Sequence, residues 1–246
     1  MDYKKKINWN NYILSLCPLF LILYISNETY AIDYRAFYLA GKSVINDLNP
    51  YLNHIAIDTD FYGPINSELF KFSGWKYPPL ASYLFVPFAK LPYELSKNLF
   101  NLVSLLSCSI LTFFIIQKRI FLINPTSLII FGISFPLLAT ISRGQIEILI
   151  VSMALVSLYF FNKGKIFISA FIIAFLGFLK IFPLALTISF LRSNQVKKFI
   201  IYIFISLLGL LIINFIFCPI EWNQSFIERI LIPGDEMPLG ELKELP

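Results

Sequence analysis

The run FIIYIFISLLGLLIINFIF, Phe199 to Phe217, constrains this chain more than any other stretch, because it carries no charge and no alternation of apolar with polar positions. A helix that is apolar on every side needs lipid or other helices all round it. Similar runs recur along the sequence. Of the 246 residues, 57% are hydrophobic and only 14% are charged, and the mean hydropathy is +0.72. Soluble domains carry about a quarter charged residues, so aqueous folding is excluded and an all-α polytopic membrane protein is expected. The net charge of +5 does not point to nucleic acid, since most basic residues lie in short flanks beside apolar runs, where they orient helices. Cys17, Cys108 and Cys218 are scattered, a spacing that fits neither a disulfide framework nor a zinc site.

The flanking charges give an orientation. Lys4, Lys5 and Lys6 precede NYILSLCPLFLILYI, which reads as a first spanning helix rather than a signal peptide, with Trp9 and Tyr12 as interface anchors and a cytoplasmic N-terminus. Residues 26–92 then form an extracytoplasmic loop with short interfacial helices around Pro50 and Pro64, ending in the stiff re-entry WKYPPLASYLFVPFAKLP. Tyr93 to Ile116 spans inward to the basic QKR, and NPTSLIIFGISFPLLATIS runs out to RGQIE. ILIVSMALVSLYFF returns to Lys163 and Lys165. The segment Ile166 to Leu191 would rise about 39 Å as one helix, but the basic residues Arg192, Lys197 and Lys198 favour a break at KIFP, Lys180 to Pro183, and a hairpin. Phe199 to Phe217 exits, leaving residues 218–246 as an extracytoplasmic tail. The sum is a single membrane domain of about seven or eight membrane helices, some short or re-entrant.

Three features converge on one side of the membrane: Asp33 with Arg35, the turn Arg143, Gly144 and Gln145, and Lys180 at a proline break. A lysine at membrane depth costs on the order of 3 kcal/mol and is usually paired or turned to a wet cavity. It suits an anion such as a lipid-linked phosphate, whose head sits at the interface while its tail stays between helices. Arg143 is a second donor to it. A carboxylate on the same side is what a general base needs to deprotonate a hydroxyl that attacks a sugar carbon with that phosphate as leaving group.

The runs DYRAFYLAGKSVINDLNPY, KYPPLASYLFVPFAKLP, RGQIEILIVSMALVSLYFFNKGK, FLKIFPLAL and NQSFIERIL resemble, in order, the motifs of glycosyltransferase family 87, the polyprenol-phosphate-mannose-dependent mannosyltransferases of the GT-C superfamily. The resemblance implies a GT-C-like multi-helix bundle. It also implies a polyprenyl-phosphate-linked donor, inverting transfer of a hexose such as mannose to a lipid or glycan acceptor, and a place in the plasma (inner) membrane. It puts the catalytic base on Asp33, the lysine before the proline on Lys180, and the glycine–glutamine pair on Gly144 and Gln145. Substrate-binding roles are expected for Arg35, Tyr38, Tyr77, Arg143, Gln145 and Lys180, with no metal and no cofactor demanded. Members of the family are longer, so either a shorter core suffices or a second subunit supplies further helices to a truncated chain.

Blander roles stand beside these. Asp33 also fits as a solvated acid or a helix cap, Lys180 as a snorkelling cation, and Glu147 as the ion-pair partner of Lys180 rather than a substrate group. Tyr77 with Pro78 and Pro79 fits as a re-entry turn, or Trp75 and Tyr77 as a stacking platform for a sugar. His54 alone makes no metal site, Asp58 and Asp60 lack a third fixed ligand, and the sequons at Asn27 and Asn223 are short. A non-catalytic lipid-binding subunit and a small transporter are the alternative functions. A transporter has little use for a long acidic loop beside its first helix.

Overall fold

The structure, a computed structural model, describes residues 31–52, 54, 74–118, 135–190 and 194–231. The expected first helix with Lys4, Lys5, Lys6, Trp9, Tyr12 and Cys17 lies outside the described residues, as do Asn27, Asp58, Asp60, Glu68, Arg119, Arg192 and residues 232–246. The described residues are helical, with no strand among them. In chain order the elements are α1 (Ile32–Ile45), α2 (Pro79–Ser82), a 3₁₀ turn (Tyr83–Phe85), α3 (Val86–Ala89), α4 (Tyr93–Lys118) and α5 (Phe135–Ser142). They continue with α6 (Glu147–Asn162), α7 (Ile166–Leu179), a 3₁₀ helix (Phe182–Phe190), α8 (Val196–Phe217) and α9 (Ile220–Leu231).

α7 lies between α6 and α8, α4 packs on the other side of α6, and α1 sits on α3. The helices approach closely where hydroxyls replace bulk. The Ser152 hydroxyl of α6 lies 2.6 Å from the Ser107 carbonyl of α4, and the Ser157 hydroxyl lies 2.9 Å from the Ser169 carbonyl of α7. Small residues at such seams let backbones come together. A second polar link joins α2, α8 and α9: the Leu80 N–H donates to Asn214 Oδ1 at 2.8 Å, and Asn214 Nδ2 donates to Asn223 Oδ1 at 2.6 Å.

α8 is the one helix among the described residues that is long and apolar enough to cross a membrane. Its two sides differ sharply: Phe204 is 67% and Ile216 71% exposed, whereas Phe199 is fully buried. That outward apolar surface suits lipid, not water. α7 stops where the proline motif stands. Lys180 is extended (φ −144°, ψ 138°) and the chain resumes as the 3₁₀ helix from Phe182, because Pro183 offers no N–H to the Leu179 carbonyl and its ring would clash with that carbonyl if α7 ran on.

α1 is buried. Tyr34, Phe37, Tyr38 and Ala40 are all within 3% of complete burial, so this helix is part of the core. Phe37 stacks on Phe85 with ring centroids 4.7 Å apart and planes at 11°. Gly41 lets α1 lie directly on the 3₁₀ turn, since a Cβ there would stand 2.6 Å from the Phe85 carbonyl oxygen. The Tyr38 hydroxyl donates to the Leu91 carbonyl at 2.8 Å and the Tyr34 hydroxyl pairs with Ser96, so both buried phenols are satisfied.

Candidate functional site

The site begins as a backbone joint. α5 ends with the Gly144 N–H on the Ile141 carbonyl at 2.9 Å and the Gln145 N–H on the Thr140 carbonyl at 3.0 Å, and Gly144 has φ +67°. This is a Schellman termination with glycine in the left-handed position, where other residues meet a steric penalty. It leaves the Arg143 carbonyl pointing at the start of α1, whose first N–H groups have no partner within their own helix. Arg143 accepts from the Asp33 N–H at 2.9 Å and the Tyr34 N–H at 3.3 Å, and Ser142 accepts from the Ala31 N–H at 3.1 Å. Ala31 is itself left-handed (φ 42°, ψ 38°) and 1% exposed. For an alanine that geometry costs about 1–2 kcal/mol, strain that sits two residues from the acid it positions.

The joint brings three side chains into one network. Arg143 Nε donates to Asp33 Oδ2 at 2.9 Å, Gln145 Nε2 donates to the same oxygen at 2.6 Å, and Arg143 Nη2 reaches Oδ1 only at 3.4 Å. Oδ2 is therefore saturated, and Oδ1 is the oxygen with capacity left to accept a proton. The Arg143 side chain is 54% and that of Asp33 16% exposed, so solvent screens the pair and its contribution to stability is small. The hydrogen bond to Asp33, followed by that residue's charge, moves the Arg143 guanidinium further up from its ordinary value, and it stays charged throughout.

A second ion pair lies beside the first. Glu147 is the first residue of α6, where a carboxylate complements the helix dipole, and its Oε1 accepts from Lys180 Nζ. The extended backbone of Lys180 carries its side chain back over this point, with the ammonium 5.4 Å from the centre of the Tyr77 ring. Burial, then the negative charges of Glu147 and Asp33, push the Tyr77 phenol upward, so it remains a neutral donor.

The two pairs line a cavity of about 250 Å³ together with Ala36, Phe37, Gly74, Lys76, Tyr77 and Leu179. Three cations (Lys76, Arg143, Lys180) and two carboxylates (Asp33, Glu147) surround it, a formal excess of one positive charge. Among the described residues no three His, Cys, Asp or Glu gather into a metal-binding group.

Of the residues expected at a site, the fold assembles Asp33, Tyr77, Arg143, Gln145 and Lys180 around one cavity. Arg35 and Tyr38 are not among its lining residues, which follows from helical period. Ala36 and Phe37, three and four residues on, share the face of Asp33, whereas Arg35 and Tyr38 are turned about 200° and 140° away from it. Arg35 is 4% exposed and near enough to Tyr93 for its charge to act on that phenol, and Tyr38 is committed to Leu91. His54 lies away from the cavity too, its Nε2 2.7 Å from the Asn49 carbonyl oxygen. Lys76 joins the lining as well, and its only signal in the sequence is a cation next to Tyr77.

Compared with protein-family models, residues 75–235 match the model for glycosyltransferase family 87. Comparisons with curated proteins and with solved structures give no match. The matched stretch contains Lys76, Tyr77, Arg143, Gln145, Glu147 and Lys180 but begins after Asp33, which joins them through the α1–α5 backbone joint.

Proposed function

Since the chain belongs to glycosyltransferase family 87, it is a membrane-associated glycosyltransferase using a sugar donor and an acceptor, and we propose that it transfers a hexose, mannose in the first instance, from a polyprenyl-phosphate-linked donor. In this reading the acceptor is a lipid or glycan, and the reaction takes place on the extracytoplasmic side of the plasma (inner) membrane. The chain crosses that membrane several times with its N-terminus cytoplasmic. The observation that carries the reading is the placement of Asp33: a carboxylate held by two donors on Oδ2, with Oδ1 met only by Arg143 Nη2 at 3.4 Å, in a cavity with an excess of positive charge.

The chemistry follows from those parts. The acceptor hydroxyl gives its proton to Asp33 Oδ1 as its oxygen forms a bond to the anomeric carbon. The bond from that carbon to the phosphate oxygen breaks on the opposite face, and polyprenyl phosphate leaves with the electron pair. Displacement from behind inverts the anomeric centre. Arg143 and Gln145 hold the carboxylate in register, the service a positioned base requires. The cavity cations stabilise the negative charge that gathers on the leaving phosphate. At about 250 Å³ the cavity lies just below the about 300–1,000 Å³ of drug-sized pockets, a size that suits a sugar phosphate head and leaves the prenyl chain between helices. The outward apolar face of α8 supports the membrane setting.

The test is transfer of labelled hexose from polyprenyl-phosphate mannose to a lipid-extract acceptor pool by the purified chain in detergent. Asp33→Asn keeps an oxygen for Gln145 but cannot take a proton. Transfer is expected to fall by about 10²–10⁴-fold while the variant still binds polyprenyl phosphate. Undiminished transfer by the variant would remove Asp33 from the role of base.

A further inference from the structure

Three cations line the cavity, and the fold does not use them alike. Arg143 is tied to Asp33 and Lys180 to Glu147, so each sits against a carboxylate. The Lys180 ammonium also rests over the Tyr77 ring at 5.4 Å. Lys76 has neither kind of partner: among the described residues it makes no ion pair, and its side chain is exposed at the cavity. An anion that draws Lys180 away would leave Glu147 with a bare charge, and the Glu147 Oε2 atom is already buried without a hydrogen-bond partner. Uncovering such a group is expensive. An anion that meets Lys76 breaks no ion pair among the described residues.

We infer that Lys76 is the residue that holds the phosphate of the prenyl-phosphate ligand, while Lys180 is a positioning residue that clamps Glu147 and Tyr77 in the cavity wall. This rests on the proposed use of a lipid-linked phosphate, and it reverses the division of roles that the proline-break motif suggests. The excess positive charge of the cavity is carried by the one lining cation that has no carboxylate of its own among the described residues. Lys76 also adjoins Tyr77 and the proline turn, a short stiff segment.

The experiment is calorimetric titration of the full chain in detergent with a water-soluble short-chain prenyl phosphate, with inorganic phosphate in a parallel arm. Lys76→Gln is expected to weaken prenyl phosphate binding about tenfold, with a shallower dependence on salt, and Lys76→Arg to restore it. The comparison variant is the double substitution Glu147→Gln with Lys180→Met, which removes the clamp without changing the net charge of the cavity. It is expected to weaken binding less than about threefold. Inorganic phosphate is expected to bind more weakly than the prenyl compound. Binding by Lys76→Gln equal to that of the wild type, or a larger loss in the double variant than in Lys76→Gln, would overturn the assignment. Equal affinity for the two phosphates would overturn the prenyl phosphate as ligand. Absence of prenyl phosphate binding by the folded wild-type chain would overturn the lipid-phosphate reading itself, and the assignment with it.

Discussion

Replacing Gly144 by alanine perturbs the joint on which the site depends without touching any group that handles substrate. Two costs can be read from the geometry. At φ +67° an alanine is in the left-handed region, a penalty of about 1–2 kcal/mol. Its Cβ would also stand 2.5 Å from the Tyr34 Cβ and 3.3 Å from the Tyr34 backbone nitrogen. Neither of those atoms is the tip of a flexible side chain, so α1 itself must move, with an overpacking cost of about 1–3 kcal/mol. Together these predict a fall in Tm of roughly 5–15 °C for a chain of this size, read by thermal unfolding in detergent. The displaced helix carries Asp33 away from Arg143 and Gln145, whose bonds to it are 2.9 and 2.6 Å, and a misplacement of about 1 Å can cost on the order of 10²-fold in rate. Gly144→Asn separates the two costs, because asparagine tolerates the left-handed region but brings the same Cβ. It is expected to recover about 1 kcal/mol of stability and little of the transfer activity. Wild-type Tm and activity in Gly144→Ala would refute the account of this turn as a fixed joint.

Two further outcomes follow from the neighbouring groups. A double-mutant cycle on Glu147→Gln and Lys180→Met should give a coupling of about 1 kcal/mol in thermal stability, since both side chains are partly exposed, at 29% and 30%; additive effects would mean that the pair contributes nothing. Burial lowers the pKa of His54 below its ordinary 6.5, an effect only partly offset by its contact with the Asn49 carbonyl. The unfolded chain then binds the proton more readily than the folded one, so stability present above about pH 6.5 is lost as pH falls through that value. The Tm of the wild type should drop on acidification from pH 7 to 5.5 more steeply than that of His54→Gln; parallel profiles would show that His54 does not carry the dependence.

What the sequence reveals of this site, and what it hides, divides along a physical line. Side-chain chemistry is legible. An uncharged nineteen-residue run becomes the membrane-capable α8, a Phe-Pro pair ends α7 and leaves Lys180 extended, and Arg-Gly-Gln forms a turn because only glycine accepts its central geometry without strain. Even the Glu147–Lys180 pair can be raised from sequence, since an acid and a base in apolar surroundings seek each other. Backbone contacts between distant segments leave no such trace. The Arg143 carbonyl that accepts from the first N–H groups of α1 is a feature every residue possesses, so nothing in the letters announces that α1 docks on α5. Without that contact the phase of α1 is undetermined. Asp33, Arg35 and Tyr38 then look equivalent as polar residues near a membrane end, and only the docking selects Asp33 and turns the other two away. The same contact explains how the acid can lie upstream of the stretch shared with the family and still complete the site. Its partners Arg143 and Gln145 belong to that stretch, and they hold it through backbone and side chain together. If the proposed base is an attachment to a turn within the matched stretch rather than part of that stretch, its position is set by two carbonyls and a glycine, and substitutions there should damage catalysis as well as substitution of the acid itself.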